Sequence, residues 1–251
     1  FQFFSSHLFG QISFHYGNLC QFSVSQILAS LSDIDFGGVR TIAANAFGNT
    51  KSLSVLTIPA SVTVIGKYAF RSSAISEIKF APRATGKEET PFEPLKLGES
   101  VFTYCASLKK ATFPDGLTSI PDSTFYNCAA LTYVYVPKTV ANGDDVVAGV
   151  SGFARAIGPR AFYHCESLSE IEFGLGGTGD LSFAERAFWG CTSLKTIDLP
   201  ESLTYLGTYT FQNSGLTSVT IPAGVKHLSL GKTSSAASGT HNVYTFANCT
   251  D

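Results

Sequence analysis

"KSLSVLTIPASVTVIGKYAF", residues 51–70, has a near-copy in "TSLKTIDLPESLTYLGTYTF", residues 192–211. Shorter echoes stand at 105–125, "CASLKKATFPDGLTSIPDSTF", and at 214–222, "SGLTSVTIP". Aligning the copies on a small residue followed by phenylalanine gives eight anchors: Phe47, Phe70, Phe102, Phe125, Phe162, Phe188, Phe211 and Phe246. Their successive spacings are 23, 32, 23, 37, 26, 23 and 35 residues. The minimum recurs three times, so the longer spacings read as a 23-residue unit carrying insertions of 9, 14, 3 and 12 residues. A fixed period of this size is the mark of a repeat architecture rather than of a globule.

Each unit has a physical reading. In "LTYVYVP", 131–137, Leu131, Val134 and Val136 face inward and Tyr133 and Tyr135 outward. The β-branched and aromatic residues alternate as in a half-buried strand. Pro137 ends the strand because it offers no ladder donor, and Pro59, Pro114, Pro200 and Pro222 punctuate other units in the same way. A second short segment such as "SVTVIG", 61–66, precedes each turn. One unit cannot bury its Leu, Ile and Phe alone, so the expected fold is a mainly β repeat solenoid of about eight coils with a parallel sheet and irregular or short-helical turns. At about 4.8 Å per coil the stack is roughly 40 Å long.

The pattern AF-x-x-C-x-S-L-x-x-I-x-[FL]-P-x-x-[VL]-x-x-[IL]-G over residues 31–251 resembles the BspA-type (treponemal, LRR_5-like) leucine-rich repeats. That resemblance implies a right-handed leucine-rich-repeat stack in a surface or secreted protein of a host-associated bacterium, or of some protists. It also implies adhesion to host or neighbouring-cell proteins. Residues 1–30 lack the repeat and are expected to form an irregular N-terminal cap. Insertions are expected near 81–96, 138–155, 174–180 and 226–243, all between the strand and the Ile-Gly segment. The chain has no Met and stops where the next strand is due, so a trimmed product and a truncated array are expected.

The six cysteines invite a chemical reading, above all "AFYHCESLSEIEF", 161–173. Three residues after the anchors stand Thr50, Ser73, Cys105, Cys128, Cys165, Cys191, Ser214 and Cys249. Leucine-rich repeats keep a ladder of inward Asn or Cys where the chain turns, donating to loop carbonyls. A hydroxyl can replace a thiol in that role, but not as nucleophile or metal ligand. A structural ladder of Cys105, Cys128, Cys165, Cys191 and Cys249 is therefore favoured over its alternatives, disulfides and a metal site. His164 shares a turn column with Asn127, Asn213 and Asn248 and reads as a surface residue.

Other motifs fail on spacing. "SLGKTSS", 229–235, lacks the first glycine of a P-loop, since Lys226 stands there. "GLGGTGD", 174–180, matches no dinucleotide fingerprint. "ANGDD", 141–145, lacks EF-hand spacing. Asn248-Cys249-Thr250 is a glycosylation sequon with its cysteine in the buried column. No catalytic, cofactor or metal residues are assigned, and the chain is expected not to be an enzyme.

With 44% hydrophobic and 14% charged residues and a net charge of −2, disorder and a nucleic-acid footprint are both disfavoured. No run is long and apolar enough for membrane insertion. The expected partner is a protein; the alternative reading is a structural scaffold or self-assembling repeat protein, with self-association of this chain. Its contact surface would be the outward strand columns, Val55, Glu77, Lys110, Tyr133, Glu170, Thr196 and Ser218 beside Thr57, Lys79, Thr112, Tyr135, Glu172, Asp198 and Thr220. Tyr133 and Tyr135, flanked by Lys110, Glu170 and Glu172, are the candidate protein-binding residues, since interfaces concentrate their energy on aromatic anchors in polar rims. The insertions are the other candidate.

Overall fold

A computed structural model describes residues 11–13, 33–82, 93–140, 156–177, 179–228 and 245–249. Most of residues 1–30, and large parts of the first, second and fourth insertions, lie outside them. All strand pairing is parallel. The first sheet places β4 (Val55–Ile58), β6 (Glu77–Phe80), β8 (Lys110–Thr112), β9 (Tyr133–Val136) and β10 (Glu170–Phe173) side by side. Ahead of them, β1 (Gln11–Ser13) pairs with β2 (Asp33–Asp35), so part of the N-terminal segment adds a rung to the stack.

A second line of pairing runs through the Ile-Gly segments: β3 (Thr41–Ile42), β5 (Val64–Ile65) and β7 (Lys96–Leu97). Single bridges at Leu95–Leu117, Ile120–Ile157 and Ile157–Phe183 carry it on to β11 (Leu181–Phe183), β12 (Leu203–Leu206) and β13 (His227–Leu228). Leu206 is paired with Leu228, which the sequence reading assigns to the fourth insertion. The added residues of that unit therefore follow Leu228 instead of preceding the second strand, because 207–228 already reaches the next rung without them.

The core lies between the two lines of strands. In β9 the buried Val134 and Val136 alternate with the half-buried Tyr133 and Tyr135, and Leu131 is fully buried. The anchors form one continuous aromatic stack from Phe47 to Phe246, with neighbouring ring centroids 5.0–5.6 Å apart and planes within 14°. Phe36 closes the N-terminal end of this stack edge-on, 5.9 Å from Phe47.

The connections are turns rather than helices among the described residues. Two residues before and two after most anchors the backbone takes a left-handed conformation, with φ of 55° at Arg160 and 55° at His164 around Phe162. The reason is hydrogen bonding. Flipping alternate residues aims the N–H groups of Arg160, Phe162 and His164 at the next rung, onto the carbonyls of Glu185, Ala187 and Trp189. The turn is thus a third ladder, and its second left-handed column holds Asn49, Asn127, Asn213 and Asn248, a residue type that tolerates this region.

Glycine has a separate role before the turn. A Cβ on Gly158 would lie 2.5 Å from the backbone nitrogen of Asp122, and one on Gly98 would lie 2.4 Å from that of Lys67. The coils approach too closely there for any side chain.

Candidate functional site

The thiol column faces the core and is bonded throughout. Cys105 Sγ donates to the carbonyl of Phe70 at 3.0 Å, Cys128 to Phe102 at 3.0 Å, and Cys165 to Phe125 at 3.1 Å. Cys191 donates to Phe162 at 3.2 Å and Cys249 to Phe211 at 3.2 Å. Each thiol thus ties its rung to the preceding anchor's backbone. Thr50 bonds the Phe47 carbonyl with its hydroxyl, and Ser73 and Ser214 sit against Cys105 and Cys249. All five cysteines are free; Cys20 lies outside the described residues. Burial pushes the thiols of Cys165 and Cys191 well above the ordinary range, so these two are protonated at neutral pH.

His164 turns the other way. Its ring lies edge-on to Trp189, 4.6 Å between centroids, and its Nδ1 is 3.3 Å from Glu166 Oε1 at the surface. Histidine and cysteine, adjacent in sequence, occupy different environments and form no dyad. Among the described residues no group of three His, Cys, Asp or Glu is placed to hold a metal ion, and no helix is long and apolar enough to cross a membrane. In "GLGGTGD" residues 174–177 turn after β10 with Leu175 projecting from the surface, Thr178 lies outside the described residues, and so do "ANGDD" and "SLGKTSS".

The outward face of the first sheet gathers the other candidates. Register sets Lys110 beside Tyr133 and Tyr133 beside Glu170, with Thr112, Tyr135 and Glu172 in the next row. The Lys110 ammonium sits 4.8 Å over the Tyr133 ring. The Tyr133 hydroxyl donates at 2.7 Å to Oε2 of Glu172, its diagonal neighbour across the strands. Burial, the hydrogen bond and the charge of Glu172 together raise the Tyr133 phenol to about 12. Burial likewise raises Tyr135, with the charges of Asp115 and Glu172 adding to it. The result is a Lys–Tyr–Glu chain across the last three strands of the sheet, β8 to β10, with the second ring beside it. The Tyr133 ring is preset by these contacts, so little of its side-chain freedom is left to lose on binding.

Sequence reasoning missed a second aromatic line, on the turn surface. Tyr126, Tyr163 and Trp189 stack at 4.9 and 4.6 Å with planes within 7°, and Tyr104 meets Tyr126 edge-on. Gln212 accepts the Trp189 indole N–H at 3.1 Å. The signal was available, since each of the stacked rings follows its anchor directly. Stacking hides the ring faces and leaves edges outside, so this line braces the turns.

Residues 28–146 and 152–238 match the family model of the BspA type leucine rich repeat region, in six copies. Comparison with curated proteins finds no match. Among solved structures, a leucine-rich repeat protein from Eubacterium ventriosum aligns over 77% of this chain and 44% of its own, with a TM-score of 0.58 and 25% identity. The pneumococcal vaccine antigen PcpA aligns over 74% of this chain and 36% of its own, at 0.43 and 20%. A leucine rich cell surface protein from Faecalibacterium prausnitzii aligns over 89% and 62%, at 0.43 and 23%. This chain thus spans less than two thirds of each of those proteins.

Proposed function

The chain belongs to the BspA-type leucine-rich repeat family, a class of protein-interaction repeat module, and we propose that it is a non-enzymatic adhesion module of a cell-surface or secreted protein. Its contact face in this reading is the outward side of the first sheet. The observation that carries it is the fixed chain from Lys110 through Tyr133 to Glu172, with Tyr135 alongside. A preset aromatic centre in a charged rim is the composition from which interface hot spots are made. Glu170, exposed beside Tyr133, extends the rim. The partner is then a host or neighbouring-cell protein, engaged without catalysis.

The test compares the wild-type chain with Tyr133→Ala/Tyr135→Ala in pull-downs from cell-surface extracts, followed by titration of whatever protein the wild type retains. The double variant is expected to lose that protein, with affinity down at least about tenfold, as for a hot-spot pair. Equal retention by both refutes the reading. Light scattering on the wild type tells a foreign partner from a second copy of this chain.

A further inference from the structure

The hydrogen bonding of the first sheet ends at β10, although the sequence pattern does not. Residues 196–199 repeat β4 in sequence, yet no backbone hydrogen bond joins them to β10 or to 218–221 among the described residues. A backbone hydrogen bond joins the last two rungs on either side of this stretch. Thr217 N donates to Lys195 O at 3.1 Å, and Lys226 N donates to Thr204 O at 3.0 Å. These two pins are nine positions apart on each rung, so no insertion forces the rungs apart. Outside that stretch the backbones are close: a Cβ on Gly215 would lie 2.0 Å from Thr192 O. Near the second pin, one on Gly224 would lie 2.9 Å from Glu201 O.

Between the pins lies a cavity of about 300 Å³ that residues of both rungs line. Its apolar wall is Ile197, Leu199 and Val219, and its rim carries Asp198 and Glu201. Neither carboxylate is in an ion pair among the described residues. Two features thus coincide: a backbone stretch, 196–199, with no backbone hydrogen bond among the described residues, and a slot with an apolar wall and an anionic rim. The first matches an extended main chain, which adds to open strand edges. The second matches a lysine or arginine, whose stem is apolar and whose head is cationic.

We propose that this opening takes an extended segment of a partner protein bearing a lysine or arginine. The segment pairs with 196–199, and its cationic side chain enters between Asp198 and Glu201 over Ile197, Leu199 and Val219. The site uses none of the tyrosine cluster's residues, although Asp198 follows Glu172 in the same outward column, and it shares with that reading only that the ligand is a protein.

The probe is a capped synthetic peptide alternating valine and lysine, followed by hydrogen exchange on the full chain. In the free protein the amides of 196–199 and 218–221 are expected to exchange at least about tenfold faster than those of β8–β10, as unpaired strand does. The peptide should slow them. Neither its glutamate counterpart nor a version N-methylated at alternate amides should. Asp198→Asn with Glu201→Gln should weaken peptide binding about tenfold, an effect in the range of interfacial charge pairs. Tyr133→Ala/Tyr135→Ala should leave the protection unchanged. The proposal is overturned if these amides are already protected in the free chain, or if millimolar lysine peptide does not slow them. It is equally overturned if the glutamate peptide works as well, or if the tyrosine variant abolishes the effect.

Discussion

The anchor stack can be tested by removing one ring from its middle. Phe162 is fully buried between Phe125, 5.3 Å away with planes 13° apart, and Phe188, 5.0 Å away at 6°. Phe162→Leu keeps most of the volume and loses two stacked pairs at about 0.5–1.5 kcal/mol each, so about 1–3 kcal/mol. Phe162→Ala adds a cavity, for about 3–5 kcal/mol in all. Phe246 is partly buried and has one stacked partner among the described residues, Phe211 at 5.5 Å, so Phe246→Ala should cost roughly half as much. Stability in a stacked array is a sum over neighbours, so an interior gap also weakens the coupling of the two halves. Urea unfolding followed by circular dichroism reports the whole array. Fluorescence of Trp189, the sole tryptophan, reports the rung beside the gap. In Phe162→Ala the two signals should separate, with a loss well above that of Phe246→Ala. A cost below about 1 kcal/mol, or equal costs at the two positions, would refute the stack as the source of cohesion.

Other consequences follow from single positions. Thiol reagent added to the native chain should leave Cys105, Cys128, Cys165 and Cys191 unmodified and label Cys249 slowly; denaturant without reductant should then release all of them, whereas thiols missing after denaturation would point to disulfides. Cys165→Ala removes one of the two hydrogen bonds to the Phe125 carbonyl, which keeps the one from Cys128 N–H, and should cost about 0.5–1.5 kcal/mol, while Cys165→Ser, which can still donate, should cost less; the reverse order in urea melts refutes the ladder. Tyr133, raised in the fold to about 12, holds its proton longer than in the unfolded chain, so its contribution to stability is complete below about pH 10 and is lost as pH rises toward 12. Phenolate absorbance should show this late step vanish in Tyr133→Phe and move down in Glu172→Gln; an unmoved step refutes the pairing. Gly158→Ala must push its Cβ into the backbone at Asp122 and should cost about 1–3 kcal/mol in the same melts, and a neutral result would show that the coils can part.

The period and the anchors were legible because they are features of composition at fixed spacing. Phe162 stacks on Phe125 and Phe188 whatever lies between them, so insertions in the intervening chain do not blur the signal. The columns of backbone conformation were legible only in outline. Asn127 and Asn213 suggested a turn, but Tyr104 and His164 share the left-handed conformation through bonding to the next rung, which residue type does not reveal. At the candidate face, alternation puts Tyr133 and Glu172 on one side of the sheet, yet their hydrogen bond is diagonal and depends on side-chain reach. Sequence also failed to say which strands pair. Residues 51–70 and 192–211 are near-copies, but the first pairs through four residues at 55–58 and two at 64–65. The second pairs through 203–206 alone. The alternation that builds a strand is local; the partner that completes it is a neighbouring rung.

This exchange of pairing between the two sheets bears on how a binding surface arises in such an array. The anchor rings, the thiols and the turn ladder hold successive rungs together at one edge of the coil, and they do so on both sides of β10. Phe188 and Phe211 remain stacked at 5.3 Å, and Phe188 N still bonds Thr210 O, where the first sheet has lost its pairing. Cohesion therefore does not depend on the strands whose outward residues would meet a partner. Those strands can carry tyrosines and carboxylates, or open a slot between rungs, with their energetic cost confined to one face. The same division explains why units separated by 23 to 37 residues share one stack: added length enters away from the turn, at places where the rungs are held by the turn's own bonds.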